Sequence, residues 1–509
     1  MEWYNGRAKR SSESAGLYTA PNSDMTYTTP SRLTPLKFGN GGNYNYPLLP
    51  PSCGNSYYDV GGYTTSAGPR STYSAESGSY YSSQSPLYCS DWVYFAGAET
   101  DCVALSSYKE DFTNKLQIVH GVSYSGDSRE DSNADSVSMG SPGGPQSLES
   151  EDGFEFYKVA EIPTDYPITN LQWDPSIASG GNGNTERLAA SSEVFRLYEV
   201  DHETLDRNNN FNISQTHILA NNTNTTSACG SSNSGTVSAT GNSWKNDSTT
   251  INTFPPVTSF DWNKKDPSII ITSSVDTTCT IWDLNRSHQL STGLNTKTDT
   301  ASVKTQLIAH DSEVFDVKFI HDSTNIFASV GNDGSIRVFD LRSLEHSTII
   351  YEPPTTAPKS GSGVKSNNSS LQHNSHALLK LSTSNVDQHH LAAVGVNSNQ
   401  VKIIDMRMPG IPVARLDGSF DGVNNAAINS IKWHPNSNFL LTGGDDCQAL
   451  VWDCNSLPAV GAGSNEPAVI DVPVLGYEAE SEVNNVSWRT GSGDWMGVVA
   501  GKGFQAVLL

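Results

Sequence analysis

Positive charge is what this chain has least of for its size. Its 509 residues carry 31 Lys and Arg against 54 Asp and Glu, a formal net charge of −23. A nucleic-acid surface needs a concentrated basic face, so direct nucleic-acid binding is excluded on charge. The acidic excess favours solubility and steers the chain towards basic partners. Cysteine is also sparse: there are seven, far apart, with no CxxC pair. That spacing excludes a disulfide framework or a finger-type metal site and fits a reducing compartment. Cys279 and Cys447 fall in expected strands, where a free thiol acts as a small buried hydrophobe. No apolar run is long enough to span a bilayer, and Met1–Arg7 lacks the apolar core of a secretory signal, so no membrane role is expected. There is no Gly-rich phosphate loop, His-x-x-x-His pair or nucleophile elbow, so the reading is against an enzyme. His389-His390 sits in a polar turn and Asp445-Asp446 in a turn, and neither is read as a site. No catalytic residue, cofactor or metal is expected.

What the chain does have is one string written four times, ending at Asp283, Asp340, Asp405 and Asp453. In each copy a polar turn leads into an alternating strand that closes on a bulky apolar residue and Asp. Three copies place Asp seven residues earlier (Asp276, Asp333 and Asp446), and the other has Ser398. A Ser or Thr stands four residues before that Asp: Thr272, Ser329 and Thr442. Trp282 and Trp452 close two of these units, whereas Phe339 closes the third. A supersecondary unit of this size cannot bury its own apolar face, so the copies must stack.

Period-two alternation marks seven segments of this layout, beginning near Leu87, Ile168, Val257, Val314, Ala377, Ile428 and Val483. Asn/Ser/Thr/Gly-rich stretches at about 123–151, 208–250, 285–302 and 355–376 read as rim inserts. They stretch the repeat beyond the roughly 40–45 residues of a compact unit. Residues 1–79, rich in Tyr, Ser, Asn and Gly, have too few aliphatics to offset ordering entropy and are expected to be disordered. The seventh segment ends without an outer strand. Tyr80–Gln84 is expected to supply it by pairing with Gln505–Leu509, closing 80–509 into a ring with no exposed edge.

The segments resemble WD repeats, which implies an all-β, seven-bladed WD-repeat β-propeller. In such repeats the turn Asp, the Ser or Thr and the closing Trp form a hydrogen-bonded set with a His from the preceding loop. Here His310 is the clear candidate for that His. Thr272, Asp276, Trp282, His310, Ser329, Asp333, Thr442, Asp446 and Trp452 are therefore read as structural, and Phe339, without an N–H, shortens the set in its blade. Pro256–Asn263, Asp276–Asp283, Lys304–Asp311, Phe339–Glu352 and Gln448–Asp453 are more specific. They resemble the family of the plant transparent testa glabra and petunia anthocyanin regulator proteins, the plant light-regulated WD proteins and an animal cullin-ligase-associated factor.

That resemblance implies a non-catalytic scaffold of cytoplasm and nucleus. Its implied partners are transcription factors or a kinase of the dual-specificity tyrosine-regulated class. The Asn/Ser-rich inserts point to a fungal source, where a related kinase is the expected partner. Arg342 and Arg407, two residues after closing Asp residues, match an element that contacts the adaptor in cullin-RING substrate receptors; they read equally as rim arginines paired with nearby acids. The chain departs from the pattern at Leu381-Ser382, which replaces the usual Trp-Asn.

Overall fold

A computed structural model describes residues 79–95, 99–124, 152–178, 186–205, 210–219, 255–290, 298–344, 346–353, 376–418, 426–457 and 466–509. Apart from Ser79, the tail assigned to 1–79 lies outside these residues, as does most of the sequence read as inserts.

The described chain is a seven-bladed β-propeller. After β1 (Tyr80–Ser82), blade 1 comprises β2 (Leu87–Phe95), β3 (Thr100–Ser107), β4 (Asn114–Tyr124) and β5 (Gly153–Thr164). Blade 2 comprises β6 (Asn170–Trp173), β7 (Glu186–Ser191), β8 (Phe195–Leu205) and β9 (Phe211–Leu219), with a one-turn helix, Pro175–Ala178, after β6. Blade 3 is β10 (Val257–Trp262), β11 (Ile269–Ser274), β12 (Thr278–Leu290) and β13 (Thr298–Ile308). Blade 4 is β14 (Val314–Phe319), β15 (Ile326–Gly331), β16 (Ile336–Asp340) and β17 (Thr348–Tyr351). Blade 5 is β18 (Leu378–Thr383), β19 (His390–Gly395), β20 (Val401–Asp405) and β21 (Ala414–Leu416). Blade 6 is β22 (Ile428–Trp433), β23 (Phe439–Gly444) and β24 (Gln448–Asp453), and its next strand, β25 (Ala468–Ile470), joins β21 of blade 5 in parallel. β26 (Leu475–Glu478) then completes blade 6, and β27 (Val483–Trp488), β28 (Trp495–Ala500) and β29 (Gly503–Leu508) form blade 7.

β1 is the fourth strand of blade 7. The strand pair is the expected one, but its register differs: Tyr80, Tyr81 and Ser82 oppose Gln505, Phe504 and Gly503. The antiparallel turn-back places β1 against the beginning of β29, so residues 507–509 extend past it. The segmentation also needs two corrections. Phe211–Leu219, read as insert, is the fourth strand of blade 2; its Asn, Ser and Thr occupy an outer position that needs little apolar surface. Residues 285–302 mostly prolong the β12–β13 hairpin. Cys447 lies not inside a strand but in the turn before β24, at φ 63°.

The core consists of seven buried clusters, one at each seam between neighbouring blades. Each sheet buries both faces against its neighbours, which is why the middle strands read as unbroken apolar or small-residue runs. At the closing seam Trp92 meets Phe154, Phe156 and Phe504 edge-on, with ring centroids 5.4, 6.1 and 5.6 Å away.

The innermost strand of each blade has one backbone edge with no strand beside it. A polar side chain from the preceding blade satisfies an N–H on that edge, all the way round. Trp173 N–H donates to Asp91 Oδ2 at 2.8 Å, Trp262 N–H to Gln172 Oε1 at 2.9 Å, and Phe319 N–H to Asp261 Oδ2 at 2.8 Å. Leu381 N–H donates to Asp316 Oδ2 at 2.9 Å, Trp433 N–H to Ser382 Oγ at 3.0 Å, and Val486 N–H to Ser430 Oγ at 3.3 Å. Ser90 N–H closes the circle on Asn485 Oδ1 at 3.3 Å. Lys318 Nζ is 3.4 Å from Asp316 and donates to Phe260 O at 2.9 Å. Burial pushes the carboxyls of Asp91 and Asp261 above their ordinary range despite nearby lysines. Burial acts on Asp316 in the same direction, but Lys318 and Lys380 outweigh it and hold that carboxyl low.

Candidate interaction rim and the turns that support it

The turn between the second and third strands is the best-determined local motif. Asp276 Oδ1 accepts the Thr278 N–H at 3.1 Å and its hydroxyl at 2.6 Å; Asp333 Oδ1 accepts the Ser335 N–H at 2.9 Å, and Asp446 Oδ1 the Gln448 N–H at 3.2 Å. Ser398 does the same with its hydroxyl, accepting Gln400 N–H at 3.1 Å. An Asp or Ser is favoured here because its short side chain bonds its own backbone two residues on. The residue after each turn Asp is left-handed: Thr277 at φ 73°, Gly334 at 77° and Cys447 at 63°. Glycine suits the middle case twice over, since a Cβ there would also lie 2.5 Å from His376 O.

Behind the turns, the expected four-residue set is divided between blades. In blade 3, Trp282 Nε1–H donates to Thr272 Oγ1 at 2.9 Å, and in blade 6 Trp452 Nε1–H donates to Thr442 Oγ1 at 3.0 Å. Each threonine passes its own proton to a carbonyl across the hairpin, Thr280 O or Leu450 O. Among the described residues no histidine joins either set. Blade 4 has the other half. His310 is fully buried, with Nε2 2.8 Å from Ser329 Oγ and Nδ1 3.0 Å from both Asp333 oxygens. Burial raises the Asp333 carboxyl, but His310 and the Ser335 N–H more than compensate and hold it well below the carboxylate range. Phe339 stacks on Phe327 at 5.0 Å where the tryptophan would stand.

Arg342 and Arg407 occupy equivalent turns after the third strands of blades 4 and 5. Arg342 Nε and Nη2 donate to Asp340 at 2.9 and 2.6 Å, and Arg407 repeats the arrangement on Asp405 at 2.9 and 2.7 Å. The side chains remain 65% and 48% exposed, so each presents a guanidinium face to solvent while anchored from behind. The flanking blades place Asn285 and Asn455 at the same position, their N–H groups capping Asp283 and Asp453.

Sequence reasoning did not find a groove of about 940 Å³ on this same rim, formed where blades 6, 7 and 1 meet. Its walls include Phe439, Val474, Trp488, Trp495, Arg489 and Leu508. Arg489 is fixed by Asp101, at 2.6 Å to Oδ1, and lies 4.9 Å over Tyr94. His434 is pinned as the neutral tautomer: Nδ1 accepts Asn436 N–H at 3.1 Å while Nε2–H faces Gly493 O at 3.2 Å. Burial accordingly lowers its pKa. Trp488 and Trp495 end and begin adjacent strands, so the repeat itself places two aromatic rings at this mouth. His390, in the polar turn read as no site, bonds Asp387 at 2.8 Å. Among the described residues no helix is long and apolar enough to cross a membrane.

The WD domain, G-beta repeat model matches residues 247–283, 301–340 and 411–453, the regions of blades 3, 4 and 6. A WD repeat-containing protein of Saccharomyces cerevisiae is 35% identical, covering 84% of this chain and 76% of its own length. The chain belongs to the WD-repeat family. This WD-repeat protein is also 33% identical to the DDB1- and CUL4-associated factor 7 homolog of Dictyostelium discoideum, over 81% of its own length and 94% of that protein's. A WD repeat-containing protein of Schizosaccharomyces pombe is 32% identical over 82% and 86% of the two chains. The family is one of propeller scaffolds, and the matches indicate no enzyme family.

Proposed function

We propose that this WD-repeat scaffold, acting in cytoplasm and nucleus, presents a protein kinase of the dual-specificity tyrosine-regulated class or a transcription factor to its targets. The observation that carries the reading is the rim groove, a concavity in which aromatic and aliphatic side chains alternate with Asp152, His434, Ser437, Ser492 and Asp494, with Arg489 fixed at its wall, on an acidic molecule. Such a surface suits an apolar anchor from a partner segment, with the surrounding acid favouring a basic partner. The motif-level resemblance to plant pigment regulators and to the animal cullin-ligase-associated factor supports the choice of partner class. Affinity purification of the tagged protein from its native cell is the test. Stoichiometric recovery of a kinase or transcription factor is expected, with loss on Trp495→Ala; recovery of neither rejects the proposal.

A second reading is favoured by a different observation, the exposed and pre-anchored Arg342 and Arg407. It makes the chain an adaptor or substrate receptor of a cullin-RING ligase, and the name of the Dictyostelium relative, a DDB1- and CUL4-associated factor 7 homolog, agrees. Here R342A/R407A should abolish co-purification of a cullin adaptor without lowering the melting temperature by more than a few degrees. Unchanged recovery, or no adaptor with the wild type, removes it.

A further inference from the structure

A cluster at the seam of blades 1 and 2 is absent from both the turn networks and the rim. Cys102 on β3, His120 on β4 and Glu186 on β7 are all buried, and one potential ligand atom from each lies within 4.8 Å of the others. His202 on β8 completes the group from the solvent side, its side chain 33% exposed.

The present bonding is lopsided. Cys102 Sγ, His120 Nε2 and His202 Nε2 converge on a single oxygen, Glu186 Oε1, at 3.3, 2.9 and 3.4 Å. The other oxygen, Oε2, is buried without a hydrogen-bond partner, on a side chain only 1% exposed. A buried carboxylate with an orphan oxygen is expensive unless something else compensates it. Tyr157 and Phe211 wall the cluster, with ring centroids 6.0 Å from His120 and 4.7 Å from His202.

We propose that these four residues form a divalent-metal site of the zinc class that clips blade 1 to blade 2. Tetrahedral zinc bonds of about 2.0–2.3 Å place ligand atoms roughly 3.3–3.7 Å apart; the three contacts to Glu186 Oε1 are already close to that, whereas Cys102 and His120 must draw together from within 4.8 Å and His202 must swing inward to join them. Thiolate and imidazole donors select zinc or cobalt over magnesium or calcium. Binding transfers the Cys102 thiol proton to solvent, and the thiolate and carboxylate then neutralise the dication, leaving a buried site with no net charge. His202, at the surface, marks the route by which the ion enters. The site differs from the zinc sites legible in sequence because its ligands come from four strands of two blades.

The experiment uses the full chain, stripped with chelator and titrated with Co²⁺ alone, then Zn²⁺ alone. One equivalent of Co²⁺ should produce tetrahedral visible bands and a near-ultraviolet thiolate-to-cobalt band, both displaced by Zn²⁺, and Zn²⁺ should raise the melting temperature. C102S should lose the thiolate band. H202A, altered only at the solvent side, should remain folded and bind Co²⁺ at least about tenfold more weakly. Absence of tetrahedral bands from the wild type, an equal thiolate band in C102S, or undiminished affinity in H202A overturns the four-ligand site.

Discussion

Blade 4 and blade 6 satisfy the same buried turn with opposite halves of one network. Blade 6 has the tryptophan and threonine, so its connection is a neutral N–H to hydroxyl bond running outward along the sheet. Blade 4 has the histidine, serine and aspartate, so its connection runs towards the loop and ends on a carboxylate. The difference teaches that the repeat demands satisfaction of the Ser/Thr hydroxyl, not a fixed set of four residues. A neutral bond and a charge-assisted one differ in strength and in pH dependence, and that is where the two solutions separate.

Both solutions operate inside a closed ring, and opening the ring sets the scale for comparing them. Deletion of residues 1–86 removes β1 and its bonds to Gly503–Gln505, and should cause aggregation or a loss of more than ten degrees in melting temperature. Deletion of residues 1–75 leaves Ser79 and β1 in place and should melt like the full chain. Equal melting of the two truncations would show that the edge is closed by something else.

Within the ring, H310A should be the most damaging of the network variants, costing about 2–4 kcal/mol in chemical denaturation because it strands Ser329 and leaves Asp333 only Ser335 and Arg337. Its effect should depend on pH. A carboxyl held low in the folded state stabilises fully above its unfolded pKa near 4, and that stabilisation drains away as pH falls through the folded value. The gap between wild type and H310A should therefore narrow below about pH 4. A gap that widens there would contradict the charge-assisted account.

W452F should cost less, about 1 kcal/mol, since Thr442 keeps its bond to Leu450 O, and should show no narrowing over the same pH range. A penalty as large as that of H310A would mean that packing, not the indole N–H, sets the value of this position. The smallest effects belong to the rim. R407A leaves Asp405, 1% exposed, without its main partner and should lower the melting temperature slightly, whereas R342A faces the 34% exposed Asp340 and should leave it unchanged. Identical melting curves for the two would erase that distinction.

Seven blades were readable because period-two alternation and the turn Asp recur, and each is a local consequence of strand and turn geometry. The outer strands were less readable. Phe211–Leu219 carries Phe211, Ile213 and Leu219 for the core but is embedded in an Asn/Ser/Thr-rich stretch that masks them, and its outer side is joined in parallel by β13 of blade 3. The parallel addition of Ala468–Ile470 to blade 5 depends on a neighbour's edge, which no local pattern encodes. His310 was legible as a network member from its loop position. The rim groove was not, because its walls come from three blades. The Cys102–His120–Glu186 cluster was hidden for the same reason: residues 84 positions apart become neighbours only when two sheets pack.

The seven side-chain-to-N–H bonds between successive innermost strands run the same way round, each blade holding the next. The propeller therefore behaves like a chain of handclasps made by different side chains in one position, whose partners all lie on the inner strands rather than the outer loops. Loops can be lengthened, shortened or rewritten without touching those seven contacts, so the two parts of the molecule answer to separate demands.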